Sequence, residues 1–401
     1  MARDPHRILL ITMGGTIAGQ VAANLRDAQI AHTASEFIDF IPETIASLNH
    51  EYALEISITE KALQEKDEKF KNSDPDIDPA RAMDVNLDSS NIVPRHWTLL
   101  AELIRDEFDN YESFVVTHGT NTLGYTCAAL TFAIPNSAKP IVLTGSQVPA
   151  GWVGSDALTN LENALRVAVW RRRKTSGPAV RGIMAVFGSH IIAGPRVKKS
   201  TEFDYDAFTS FKTGSLGRIG RMLHFNDSNL ARHAAYITDR NRPEARDQVD
   251  LICEARFDPQ IVSLTEFPGM SPDVFKDLHK AGAHGIILRA FGAGDPCDNH
   301  RASFEYLKSE QIPVVVTTQA PQGVANFQVN EPGKYLREKG LAIPAHDMSI
   351  ESQTAKLMWL LAKKNFEPLH EGDAKMSYRT LCQEMVADLR GEVDVQRESS
   401  A

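Results

Sequence analysis

Seven short apolar runs constrain this chain more than any other feature. They are "ILLIT" (8–12), "SFVVT" (113–117), "PIVLT" (140–144), "IMAVF" (183–187), "IVSLT" (261–265), "GIILRA" (285–290) and "PVVVTT" (313–318). Between them lie amphipathic stretches such as 95–109, where Trp97, Leu100, Leu103 and Ile104 share one helical face, and 155–170. Buried strands of four to six residues alternating with helices of about 12 imply parallel βαβ units. A chain of 401 residues is comfortable for two such domains. The pattern predicts a larger α/β domain over 1–220 and a smaller α/β domain over 256–401. The connection, 221–255, contains the polar passage "HFNDSNLARHAAYITDRNRPEARDQ" (224–248). A charged segment with two Asp-Pro steps, "EKALQEKDEKFKNSDPDIDPARAMD" (60–84), reads as an exposed insertion.

Composition excludes several function classes. A formal net charge of −9 argues against a nucleic-acid surface, and "WRRRK" (170–174) reads as the solvated last turn of a helix. No stretch approaches the roughly 18 uninterrupted apolar residues of a membrane span. "MARDPHR" followed by "ILLI" is no secretory leader, so a cytoplasmic protein is expected. Cys127, Cys253, Cys297 and Cys382 form no metal-binding spacing, and neither metal nor cofactor is expected.

In parallel α/β sheets, ligands bind at the carboxyl ends of the strands. Those ends read "TMGGT" (12–16), "THGTN" (117–121), "TGSQ" (144–147) and "GSHIIAGPRVKKS" (188–200). Gly15 and Gly119 allow sharp turns that bring backbone N–H groups close to a ligand oxygen. Thr16 and Thr120 follow them directly and offer hydroxyls to one crevice. A dinucleotide site is disfavoured, because G-x-G-x-x-G is not met and no Walker lysine follows. Threonines at such ends also cap helices. A reactive threonine needs a base, and His118, Lys198 and Lys199 are the candidates. Spacing alone does not choose between the two lysines.

These residues resemble the bacterial-type L-asparaginases, hydrolases of side-chain amides, over nearly the whole chain. "MGGTIAG" is similar to the family's first threonine signature and "VVTHGTNTL" to its second. "KPIVLTGSQVP" with "SDALTNLENALRVA" resembles the following segment, and "DSSN" (88–91) the loop that holds the substrate carboxylate. "GIILRAFGAG" and "LRGEV" are similar to the cytoplasmic type of the family. The resemblance implies a two-domain asparaginase-like α/β fold, with a larger N-terminal parallel-sheet domain. It also implies a homodimer or homotetramer acting on a small amide without a cofactor. Thr16 matches the attacking threonine, Thr120 the second catalytic threonine, and Lys199 the lysine that activates it. Ser89 and Ser90 match the residues holding the α-carboxylate, and Ser146 sits where a backbone carbonyl faces the leaving amide.

Two departures bear on the substrate. The family pattern His-Gly-Thr-Asp-Thr has Asn121 in place of the acid that grips the α-ammonium. A charge-assisted hydrogen bond is roughly twice as strong as a neutral one, so ammonium recognition is expected to weaken. The family's loop tyrosine is also missing from 20–40, where Arg26 and His32 are the cationic residues; Tyr52, the nearest tyrosine, is expected to open the next strand. The sequence therefore predicts an asparaginase-like amidohydrolase whose substrate is not simply free L-asparagine. The alternative is a non-catalytic sensor of the same family. The ammonia-supplying subunit of a tRNA-dependent amidotransferase is disfavoured: it carries a domain ahead of the first signature, whereas seven residues precede Ile8, and the chain lacks a basic face.

Overall fold

The computed structural model describes residues 6–15, 17, 42–52, 56–62, 88–150, 152–170, 180–237, 251–369 and 374–394. The chain forms two compact units, Met1–Ala255 and Arg256–Ala401.

The first unit runs β1 (His6–Thr12), α1 (Pro42–Tyr52), β2 (Ile56–Ala62), α2 (Pro94–Asp106), β3 (Ser113–Thr117), α3 (Leu123–Ala133), β4 (Pro140–Thr144), α4 (Ala157–Val169), β5 (Gly182–Phe187) and β6 (His190–Ala193). It continues with β7 (Val197–Lys199), β8 (Phe208–Ser210), β9 (Gly217–Ile219), β10 (Leu223–Phe225) and α5 (Asp227–Ile237). Tyr52 thus ends helix α1 instead of opening a strand. One sheet has the order β10-β9-β6-β5-β4-β3-β1-β2. Strands β2, β1, β3, β4 and β5 pair in parallel. All residues of β3, β4 and β5 are buried, as expected of strands covered on both faces. Val115, Val142 and Met184 pack in one core with Leu161 and Leu165 of α4.

The sheet is mixed, where the sequence pattern predicted a parallel one. Beyond β5 the chain reverses through Gly188 and Ser189, and β6, β9 and β10 add antiparallel. A parallel return needs a crossover of a dozen or more residues, and a two-residue turn forces the antiparallel one. Gly188 has φ +54°, and a Cβ there would lie 2.2 Å from Asp206 Oδ1. Strand β7 pairs with β8 in a separate ribbon. The expected connection over 221–255 contains β10 and α5. That helix buries Leu230, His233 and Ile237, a helical spacing hidden among polar residues.

The second unit comprises β11 (Ile261–Thr265), α6 (Asp273–Lys280), β12 (Gly285–Ala290), α7 (Arg301–Ser309), β13 (Val314–Thr318), α8 (Glu331–Lys339), β14 (Ile343–Pro344), α9 (Ile350–Asn365) and α10 (Tyr378–Val386). Its four strands pair in parallel in chain order. Phe275, Ile286, Leu288, Phe304 and Val316 form its core. Gly340, at φ +58°, ends α8 in the left-handed conformation that glycine adopts without a steric penalty. No helix among the described residues is long and apolar enough to cross a membrane.

Candidate active site

Strand register aligns three glycine-bearing ends on one edge. Thr12 pairs with Thr117, and Thr117 with Thr144. Just beyond, Met13 N donates to Thr117 O at 2.9 Å and His118 N to Thr144 O at 2.9 Å. The next residues are crowded until only glycine fits. Gly15 has φ +87°, and a Cβ there would lie 2.3 Å from Gly119 Cα. A Cβ on Gly119 would lie 2.6 Å from Ser89 Oγ, and one on Gly145 would lie 2.3 Å from His118 O. Close backbone approach, anticipated toward a ligand, is here first an approach of backbone to backbone. Thr16 follows Gly15 directly but lies outside the described residues, as do 20–40 with Arg26 and His32, and most of 60–84.

The 88–91 turn is fastened to the loop after β3. Thr122 Oγ1 donates to Ser89 O at 2.7 Å, and Asn121 Nδ2 donates to Ser90 Oγ at 2.8 Å. Asp88 accepts from Ser90 N at 2.9 Å and caps this short turn. Ser89 is buried, whereas Ser90 and Asn121 reach solvent. Asn121 thus spends a donor on Ser90 that a carboxylate does not possess.

Strand β7 brings the lysine. Side chains alternate along a strand, so Lys198 and Lys199 face opposite sides, and it is Lys199 that reaches Thr120. Lys199 Nζ donates to Thr120 Oγ1 at 2.9 Å and to Glu202 Oε2 at 2.8 Å. Thr120 is buried, and only 14 % of the Lys199 side chain is exposed. Glu202 escaped the sequence reading; its only signal is an acid three residues after the lysine.

Two further residues missed by sequence hold the loop after β4. Asp156 accepts from Gln147 N at 3.0 Å and from Val148 N at 3.0 Å. Asn160, one helical turn on, donates to Gly145 O at 2.9 Å and accepts from Gly188 N at 3.0 Å. Buried polar side chains on an otherwise apolar helix face were the available signal. Ser146 lies in this pinned loop, fully buried, and its hydroxyl has no partner among the described residues.

His118 is not placed as the base for Thr120. Its Nδ1–H donates to Gly119 O at 2.6 Å, and its Nε2 accepts from Thr126 Oγ1 at 2.8 Å. Trp97 Nε1 in turn donates to Thr126 at 3.1 Å. Burial pushes the imidazole down to about 4, against the opposing pull of the Gly119 carbonyl. The unfolded chain binds a proton below the ordinary 6.5, while the folded chain resists until about 4. Stability is therefore full above 6.5 and falls with pH between those values, approaching ~1.4 kcal/mol per unit. Between pH 6.5 and 5 this one group is expected to cost about 2 kcal/mol. His233, buried against Arg181 O, shifts the same way, so the test is urea denaturation of wild type against His118→Gln at both pH values. An equal pH dependence in the two proteins would refute the assignment.

Among the described residues no cluster of three or more His, Cys, Asp or Glu side chains could hold a metal ion. What converges is a hydroxyl on a lysine ammonium, the Glu202 carboxylate on the same ammonium, and glycine-lined backbone beside two serines. That set can move a proton and hold a small polar ligand.

"Asparaginase, N-terminal" matches residues 7–231, and "Glutaminase/Asparaginase C-terminal domain" matches 260–368. The chain belongs to the asparaginase family. An L-asparaginase of Thermococcus kodakarensis is 35 % identical over 279 residues, covering 69 % of this chain and 78 % of the relative. A glutamyl-tRNA(Gln) amidotransferase component of Methanococcus maripaludis is 26 % identical over 372 residues, covering 91 % of this chain and 78 % of the relative. The crystal structure of L-asparaginase I from Vibrio cholerae superposes with a TM-score of 0.73 at 26 % identity, covering 98 % of this chain and all of that one. Both asparaginase domains are thus present, one on each compact unit.

Proposed function

We propose that this asparaginase-family protein hydrolyses the side-chain amide of asparagine or an asparagine-like compound to a carboxylate and ammonia. The contact of Lys199 Nζ with Thr120 Oγ1 carries the reading, because a lone threonine caps a turn whereas a threonine on a lysine ammonium can relay a proton. Ser89, Ser90 and Asn121 hold the substrate's polar end, beside the backbone of Gly15 and Gly119. The Thr16 hydroxyl oxygen attacks the amide carbonyl carbon. In its amine form Lys199 accepts that proton through Thr120 Oγ1, and the ammonium so formed returns it to the leaving nitrogen, so that ammonia departs. Water then cleaves the Thr16 ester, releasing the carboxylate and restoring the hydroxyl. The loop held by Asp156 and Asn160 keeps the Ser146 backbone at the leaving-group side. The same reading makes the protein a cytoplasmic homodimer or homotetramer, to be checked by light scattering.

The substrate follows from position 121. Asn121 offers no charge to an α-ammonium, and its Nδ2 is committed to Ser90. An amide whose amine is absent, substituted or neutral fits better than free L-asparagine. The test is ammonia release from L-asparagine, D-asparagine, L-glutamine, succinamic acid and N-substituted asparagines. A KM for free L-asparagine well below a millimolar would end the altered-substrate idea. Asn121→Asp is expected to lower KM for L-asparagine about tenfold, the difference between a neutral and a charge-assisted hydrogen bond. It should leave succinamic acid, which has no amine, unimproved. Ligand-induced stabilisation with no ammonia from any amide would favour the sensor reading instead.

A further inference from the structure

Lys199 has two acceptors, and only one of them is a threonine. The second, Glu202 Oε2, lies 2.8 Å away in the loop joining β7 to β8. That loop is fastened at four points. Ser200 N donates to Ala207 O at 2.8 Å across its base. Gln147 Nε2 donates to Glu202 O at 2.9 Å, from the loop after β4. Asp206 accepts from Ser189 N at 2.6 Å, and Tyr205 Oη donates to Gly154 O at 2.6 Å. A carboxylate carried on such a loop is placed before any substrate arrives. An ammonium has three donors, and two fixed acceptors on different elements set its direction.

Charge gives the second argument. Thr120 is neutral and so is Asn121, which turns its amide toward Ser90. Among the described residues, Glu202 is the anion recorded on the Lys199 ammonium. A lysine only 14 % exposed loses much of its hydration, and a contacting carboxylate offsets that loss. Glu202 itself is 67 % exposed, so it remains hydrated while making the pair.

We propose that Glu202 is the positioning residue of Lys199, supplying from the β7–β8 loop the negative charge that position 121 lacks and holding Nζ against Thr120 Oγ1. The inference rests on Lys199 serving the hydrolytic site. Its chemical consequence is a transposed carboxylate: the same ammonium is served from a different element. A carboxylate restored at 121 should then replace one removed at 202.

The experiment compares full-length wild type with Glu202→Gln, Glu202→Asp and Glu202→Gln/Asn121→Asp. The substitutions leave the backbone carbonyl held by Gln147 untouched. Ammonia release is measured at each protein's own pH maximum, so that differences in proton occupancy drop out. Glu202→Gln is expected to lower kcat about fivefold with KM changed less than about twofold, the size expected of a half-exposed ion pair that acts after binding. Glu202→Asp should recover part of that loss, and the double variant most of it. A second readout needs no substrate: trace acetylation of Lys199 by acetic anhydride, followed by mass spectrometry. Glu202→Gln is expected to raise Lys199 labelling roughly fivefold at neutral pH. Unchanged labelling overturns the pairing whatever the activity. Raised labelling with unchanged kcat, or a double variant no better than Glu202→Gln, overturns the positioning role. A wild type that releases no ammonia overturns the hydrolase reading alone, since labelling still tests the pair.

Discussion

Lys199→Met is expected to reduce ammonia release about a thousandfold, the typical contribution of a positioned proton-transfer group. Methionine keeps most of the stem's volume but removes every donor. The loss should fall on kcat, because Nζ touches Thr120 Oγ1 and Glu202 and serves the relay rather than the substrate's polar end. Thr120→Val should act alike: the shape survives and the relaying hydroxyl does not. Thr120→Ser keeps the hydroxyl on a side chain with more rotamer freedom and should retain measurable activity. The two losses share one proton path, so Lys199→Met/Thr120→Val is expected to be scarcely worse than either alone. Steady-state kinetics on the best amide of the panel decides it. Losses that multiply would mean that the two groups act independently, and the proton path would be wrong.

Lys356→Met is expected to destabilise the second unit by about 3–5 kcal/mol, the range for stripping one partner from a buried ion pair. Lys356 Nζ lies 2.5 Å from Glu392 Oε1, and both side chains are wholly buried. The same ammonium donates to Ala387 O at 2.5 Å, so one side chain of α9 ties down the chain after α10. Glu392 also accepts from Leu389 N at 3.0 Å and Arg390 N at 2.6 Å. Burial alone would raise its pKa, but the charge and hydrogen bond of Lys356, with the Leu389 N–H, hold the carboxyl below its usual value. Methionine leaves that carboxylate buried and without its counterion. Glu392→Gln removes the charge and keeps one oxygen, which serves one of the two backbone donors, since these reach different carboxylate oxygens. The double variant Lys356→Met/Glu392→Gln should therefore regain much of the loss, whereas Glu392→Ala should not. Hydrogen exchange at the α9 amides reads the effect locally, as a protection decrease of about two to three orders of magnitude. Equal protection in wild type and Lys356→Met would show that the pair does not hold this segment.

The pair also explains the "LRGEV" motif, which the sequence offered only as a family likeness. Its acid closes the second unit on itself, within residues 356–392. Nothing local to "LRGEV" announces a partner 36 residues upstream. Long-range pairing of this kind is fixed by packing and is invisible to periodicity.

The seven strands that coincide with apolar runs could be read directly, as could α2 and α4, because each depends on a local pattern. β3, β4, β12 and β13 lie where apolar runs had been found, and α2 buries the face marked by Trp97, Leu100, Leu103 and Ile104. Gly15 and Gly119 were legible as tight points, since no other residue tolerates so close an approach of backbones. Helix α5 was missed because only Leu230, His233 and Ile237 carry its spacing.

Local pattern was thus enough to mark an α/β protein of two units, with Gly-Thr pairs at strand ends, and the motifs pointed to the asparaginase family. Three other features arise only where the folded segments meet. The approach of β9 to β6 extended the antiparallel side of the mixed sheet. Strand alternation and the path of β7 turned Lys199, not Lys198, toward Thr120. The β7–β8 loop brought Glu202 to the same ammonium. Each depends on the approach of separate stretches of chain, and a hydrogen bond spanning 79 residues leaves no period in the sequence for a reader to find.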